Sequence, residues 1–204
     1  NGGVLPTNTI FSFSDSEEVT LPIPYKTGYD FKGWYENNNL VTKVTNKNYS
    51  LLAKWEAYPR YNINYDLDGG VLDNPKTSYT KDEVFILEEP VKKGYTFLGW
   101  IDLKNTEPIK KMEVKDQTGN LTFKAVFEDN TYKITLKSAY TTDVIIDVEF
   151  NSSIKLSVDK NIINGMKLLG WNTEEDLSGI TYLINQEIVY QTPENIVLYA
   201  VWTS

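Results

Sequence analysis

Four constellations in this sequence have residue types and spacings that could do chemistry. Asp66-x-Asp68-Gly69-Gly70 reads like the opening of a calcium loop, with carboxylates at alternate positions offering hard oxygen ligands. The later ligands and the terminal bidentate Glu are missing, so a hairpin turn is the better reading, since glycine accepts the positive φ of a tight turn. The neighbours Glu88-Glu89 and Glu174-Glu175 suggest the acid and base of a glycosidase. Adjacent residues on a strand point to opposite faces, and both pairs read better as solvated charge. Tyr35, Tyr58, Tyr79, Tyr140 and Tyr182 could stack on sugars or peptides, but tyrosine suits half-buried sheet positions, and most read better as ordinary strand residues. Abundant Lys and Asn would allow Lys–Asn isopeptide bonds, but no motif points to one.

The missing residue types exclude more. The 204 residues contain no Cys and no His, which removes the thiol nucleophile, the imidazole base, disulfides and the usual zinc ligands. Lys and Arg total 20 against 28 acidic residues, a net charge of −8, and Arg60 is the lone arginine. Such a chain is poorly suited to phosphates, so neither nucleic acid nor anionic lipid is an expected partner. No apolar run approaches the ~20 residues of a membrane span, so no membrane insertion is expected. The start, Asn1-Gly2-Gly3-Val4, has no basic-then-apolar leader. No catalytic, cofactor-binding or metal-ligating residue is assigned, and no cofactor is expected.

Whatever the chain does is set by a repeat. Gly28-Tyr29-Asp30-Phe31-Lys32-Gly33-Trp34 recurs as Gly94-Tyr95-Thr96-Phe97-Leu98-Gly99-Trp100 and, degraded, as Gly165-Met166-Lys167-Leu168-Leu169-Gly170-Trp171. A second motif closes each copy: Leu51-Leu52-Ala53-Lys54-Trp55, Phe123-Lys124-Ala125-Val126-Phe127 and Leu198-Tyr199-Ala200-Val201-Trp202. All 5 tryptophans fall in these slots, and Phe127 fills the remaining one. The period is about 70 residues, which defines units at 1–57, 58–129 and 130–204. Tyr61-Asn62-Ile63-Asn64-Tyr65 opens the second unit and Tyr132-Lys133-Ile134-Thr135-Leu136 the third, whereas the first begins at its Gly-Gly. The chain therefore reads as a fragment of a longer array, with its truncated first unit expected to melt first.

Within a unit the pattern has period two. Tyr61, Ile63, Tyr65 and Leu67 alternate with polar residues, as do Val144, Ile146, Val148 and Phe150, and Leu121, Phe123, Ala125 and Phe127. This predicts a mainly β fold, α+β at most, with a short helix or 3₁₀ turn allowed between Asp102 and Asp116. The glycine–tryptophan motif has a parity conflict. In a regular strand Tyr29, Phe31 and Gly33 share one face and Trp34 points to the other. A bulge at Gly33 would return Trp34 to the core. Trp34 should then share a core with Trp55, Trp100 with Phe127, and Trp171 with Trp202.

These motifs resemble the Listeria–Bacteroides repeat, the B-repeat type of module found in internalin B and other bacterial surface proteins. The likeness spans the chain but weakens in the third unit, where Ser138-Ala139-Tyr140-Thr141 lacks the Gly-Gly and Asn161 stands in place of the proline found four residues before the glycine motif as Pro24 and Pro90. The resemblance implies tandem β-grasp-like modules strung like beads on secreted or wall-attached proteins, with no catalytic residues to carry over. The expected role is a non-enzymatic extracellular spacer, its partners being neighbouring repeats and flanking surface domains. The alternative is an adhesin contacting a host protein or glycan through exposed tyrosines or a sheet edge.

Overall fold

The computed structural model describes residues 2–7, 9, 18–45 and 47–204; Asn1 of the first Gly-Gly segment lies outside them. The first sequence repeat contributes β1 (Val19–Thr20), β2 (Tyr29–Glu36), β3 (Asn39–Val41), β4 (Lys43–Val44) and β5 (Leu52–Ala57). The second supplies β6 (Tyr61–Asp66), β7 (Ser78–Tyr79), β8 (Phe85–Ile86), β9 (Tyr95–Ile101), β10 (Glu113–Val114) and β11 (Leu121–Asp129). The third supplies β12 (Thr131–Ser138), β13 (Thr141–Glu149), β14 (Ser153–Lys155), β15 (Ile162–Ile163), β16 (Met166–Asn172), β17 (Thr181–Leu183), β18 (Glu187–Val189) and β19 (Ile196–Thr203). There is no helix among the described residues.

Two compact units emerge. One comprises Asn1–Asn64, Pro75–Leu87 and Met112–Thr122; the other comprises Tyr65–Asn74, Glu88–Lys111 and Phe123–Ser204. The first holds the antiparallel sheet β3-β2-β5, the ribbon β1–β4, and the ladders β6–β7 and β8–β10. The second holds the antiparallel pair β9–β11 and a larger sheet of order β13-β12-β19-β16-β15, with β17 also on β16. In that sheet the repeat's first and last strands are neighbours. β12 and β19 run parallel, from Ile134↔Ile196 to Lys137↔Tyr199, while the other pairs are antiparallel. The small ladder β14–β18 accompanies it.

Alternation explains the core. Ile134, Leu136, Leu168 and Leu198 are all buried at 1% exposure or less, each flanked by strand neighbours that face outward or are only half-buried. With Val148, Leu156, Trp171 and Tyr190 they form one apolar cluster, and burial of this kind contributes about 1.5–3 kcal/mol per large side chain. The segment 102–116 differs from expectation. The Asp102 carboxylate accepts from the N–H groups of Lys104 and Asn105 at 2.8 and 2.7 Å. This local turn competes with helix formation, and the chain continues through a bridge from Ile109 to Trp100 into β10.

The parity conflict is resolved in the same way three times. Phe31 lies opposite Trp55 and Trp34 opposite Ala53, with a register shift between Phe31 and Gly33. Phe97 faces Phe127 and Trp100 faces Ala125; Leu168 faces Trp202 and Trp171 faces Ala200, again with a shift in each ladder. The extra residue, Lys32, Leu98 or Leu169, is exposed. The two large rings of a repeat thus share a face, with a middle residue beside both. Phe31 touches Trp34 and Trp55 edge-on at 5.5 and 5.4 Å, and Phe97 bridges Trp100 and Phe127 at 5.4 and 5.6 Å. In the third repeat Leu168 holds that central place, with Trp171 inside the cluster and Trp202 packed against it.

A side chain at the bulged glycine has nowhere to go. Gly99 has φ +153°, and a Cβ there would stand 2.6 Å from the backbone N of Ile109; one on Gly170 would run into the backbone carbonyl of Tyr182. At Gly33, with φ +123°, the obstacle is only the flexible end of Leu40. Gly99→Ala and Gly170→Ala should therefore cost more than about 2 kcal/mol and Gly33→Ala about 1 kcal/mol, measured by urea unfolding. Native-state hydrogen exchange should also be faster in β2 and β5 than in β9 and β11, because no β2 residue is buried whereas Trp100 is fully so.

Candidate functional site

The sequence-derived motif residues divide into two groups. Phe31, Gly33, Trp34 and Trp55, with Phe97, Gly99, Trp100 and Phe127, and Leu168, Gly170, Trp171 and Trp202, build the ring-and-bulge cores described above. Gly28-Tyr29, Gly94-Tyr95 and Gly165 lie one turn earlier, at the mouth of the strand, with φ values of +80°, +87° and +79° at the glycines. The first two of these turns are where one repeat meets the next.

At the first junction the N–H of Tyr58 donates to the Gly28 carbonyl at 2.8 Å, and the Gly28 N–H donates to Asp82 Oδ2 at 2.9 Å. Lys81 Nζ donates to both oxygens of Asp30, at 2.9 and 3.1 Å, and lies 4.2 Å over the Tyr58 ring. The second junction repeats the backbone geometry, the Asn130 N–H donating to the Gly94 carbonyl at 3.0 Å. Its side chains are different. Phe150 meets Tyr95 edge-on at 5.4 Å and lies so close to Gly94 that a Cβ there would stand 2.6 Å from the ring. Asn151 Nδ2 donates to the Tyr95 hydroxyl at 2.5 Å.

The same two positions make both junctions. Tyr79 pairs with Tyr61 and Val148 with Tyr132, so Lys81-Asp82 and Phe150-Asn151 stand equally far past equivalent strand residues. One junction is ionic and the other aromatic. The Thr80 hydroxyl, followed by the Gly28 N–H, holds the Asp82 carboxyl below its ordinary pKa; the hydrogen bond that Lys81 donates to Asp30 raises the pKa of Lys81.

Most of the residues singled out for chemistry are otherwise occupied. Asp68 sits at φ +48° in the hairpin turn closed by Gly70 N–H to Leu67 O at 2.8 Å, and its carboxylate pairs with Lys92 at 3.1 Å. The backbone carbonyl of Glu88 accepts from the Trp100 indole N–H at 3.1 Å, and the Glu89 carboxylate pairs with Lys110 at 3.8 Å. Tyr79 is not a surface residue at all. It is 1% exposed, its hydroxyl donating to the Gly119 carbonyl at 2.7 Å, and burial raises its pKa. Tyr35 and Tyr58 are half-buried under Lys54 and Lys81, and Tyr182 packs on the third core. Tyr140 is exposed.

A cleft of about 430 Å³ opens near Tyr140, lined by Lys137, Ser138, Asp143, Glu175, Tyr199 and Trp202. The loop that carries Glu175 is organised by Asn172, a residue the sequence reading passed over. Asn172 is 1% exposed. Its Nδ2 donates to Leu177 O, Gly179 O and Thr181 Oγ1 at 3.2, 3.1 and 2.8 Å, and its Oδ1 accepts from the N–H groups of Glu174 and Gly179 at 2.8 and 3.2 Å. Its position directly after the Gly-Trp pair, where the other copies have Tyr35 and Ile101, was the available signal.

Aromatic cores built on a bulged glycine, repeated along the chain and joined through the turn before it, define a tandem all-β repeat. The chain belongs to the Listeria-Bacteroides repeat domain family, whose model matches residues 1–54, 61–126 and 129–201. A relative in Evansella cellulosilytica named "Putative membrane protein" is 26% identical over 219 aligned residues, covering 100% of this chain and 32% of its own length. Internalin H of Listeria monocytogenes is 36% identical over 118 residues, covering 52% of this chain and 20% of itself. The chain thus spans no more than 32% of these relatives.

Two outcomes follow for solution work. The carboxyl of Asp82 ionises below its free value, so its contribution is full above the ordinary carboxylate range and is lost as pH falls through the lowered value. Protection of the Gly28 amide should therefore fade on acidification, while amide exchange at Phe150 shows no such step. Asn172→Ala should cost about 1–3 kcal/mol by leaving buried loop groups unpaired, and fast amide exchange at Glu174 and Gly179 would register it.

Proposed function

We propose that this chain is part of a bacterial surface protein in which three repeat modules, at 1–57, 58–129 and 130–204, act without catalysis as an extracellular spacer. The modules set the distance between neighbouring domains of the same protein. Family membership and the names of the relatives support a place at the cell envelope. The observation that carries the spacing role is the doubled junction: Lys81-Asp82 and Phe150-Asn151 each dock on the glycine turn of the preceding repeat. Contacts of that kind restrict bending at a joint that would otherwise be a short polar linker.

Solution scattering and a surface-display assay test this reading. Lys81→Ser, Asp82→Ser and Phe150→Ser together should broaden the distribution of interatomic distances without unfolding the repeats. The same variant, placed between a wall anchor and a reporter domain, should reduce access of a bulky antibody to the reporter. Unchanged distances and unchanged access would remove the spacing role.

A further inference from the structure

The third repeat departs from the other two at its first turn, and a cleft lies there. In the second repeat the backbone at Gly70 rests on Phe127, where a Cβ would stand 2.9 Å from the ring; Gly3 meets Trp55 in the same manner. The third repeat has no Gly-Gly. Instead β12 passes into β13 through Ala139-Tyr140, with Ser138 opposite Thr141. Trp202 occupies the slot of Phe127, and the Tyr140 side chain reaches it edge-on, with centroids 5.3 Å apart and planes at 85°. Beside this ring pair is the cleft of about 430 Å³, within the ~300–1,000 Å³ of small-molecule sites.

We propose that this cleft binds one pyranose ring of a neutral saccharide. The Trp202 indole offers the apolar surface, the carboxylates of Asp143 and Glu175 accept hydrogen bonds from sugar hydroxyls, and the Lys137 ammonium donates to another. The charge pattern decides the ligand class. A cation would meet Lys137, and an anion would meet Asp143 and Glu175. A neutral polyhydroxyl ligand uses groups of both signs, since each hydroxyl donates and accepts, and hydrogen bonds to charged groups are the stronger kind.

The site is also held in place before any ligand arrives. The Trp202 Nε1–H donates to Ser138 Oγ at 3.3 Å, Tyr140 abuts the ring, and Asn172 fixes the Glu175 loop. Ordering such groups in advance lowers the entropy lost on binding. This inference deepens the adhesive reading of the repeat and does not depend on the spacing role.

The test is a titration of the full chain with lactose, cellobiose and N,N′-diacetylchitobiose, followed through the indole N–H signals in NMR spectra. At least one sugar should shift the Trp202 signal saturably while those of Trp34 and Trp100 stay fixed. Asp143→Asn and Glu175→Gln should each weaken binding by roughly tenfold, with amide exchange at Gly179 unchanged to show that the loop is intact. Trp202→Phe keeps the ring type that Phe127 supplies in the second repeat, and by calorimetry it should bind more weakly, with amide exchange at Gly179 again showing that the loop is intact. No Trp202 shift with any of the three sugars would overturn the proposal. So would affinity indifferent to both carboxylate variants, or a shift produced only by Nα-acetyl-lysine amide or acetate. None of these results bears on the scattering experiment, so the two readings fail separately.

Discussion

An aromatic ring that lies one residue out of phase with its strand has to be brought back to the core, and the repeat is organised around that need. The bulge between Phe31 and Gly33, with its counterparts before Gly99 and Gly170, sets two residues against one and turns the indole inward. Everything near it is selected by the resulting crowding. Alanine stands opposite Trp34, Trp100 and Trp171, where a larger residue would occupy the ring's space. Glycine stands at the bulge because Ile109 and the Tyr182 carbonyl press on it. A middle residue, Phe31, Phe97 or Leu168, links the two rings of each core. With no disulfide available, this packing and its ladders hold the repeats together.

The two junctions show how one geometry can be served by unlike chemistry. The Gly28 and Gly94 carbonyls accept the same backbone N–H, from Tyr58 and Asn130. What lies across the turn is a lysine–aspartate pair in one case and a phenylalanine against a tyrosine in the other. The pair at Lys81 and Asp30 is 38% and 46% exposed on its side chains, so water and salt screen it. The contact of Phe150 with Tyr95 has no charge to screen. At the third turn, Gly165 has open space where Phe150 stands against Gly94.

Much of this was legible from residue types alone. The ring slots, the strands of β6, β11 and β13, the Asp68-Gly69 turn and the parity argument for Gly33 all rest on local pattern, and local pattern is what a sequence displays. The junctions were not legible. Lys81-Asp82 and Phe150-Asn151 share no residue type, so their equivalence emerges only when each is seen against the turn before it. Full burial of Tyr79 was not legible because its two-residue strand is too short to show alternation. The run after Asp102 admitted a helix by composition, and a single carboxylate accepting two backbone N–H groups diverted it. Asn172 was passed over because a polar residue beside a core tryptophan looks like ordinary strand alternation until the loop it gathers is known.

The parallel pairing of β12 with β19 has a consequence for a protein under load. The third repeat enters at the head of β12 and leaves at the tail of β19, so tension applied through the chain pulls the two strands in opposite senses along their common axis. The hydrogen bonds from Ile134–Lys137 to Ile196–Tyr199 are then strained together, in shear. An antiparallel hairpin pulled at its open end would instead unzip, one rung after another. A repeat connected in this way keeps its length until the whole ladder gives way at once.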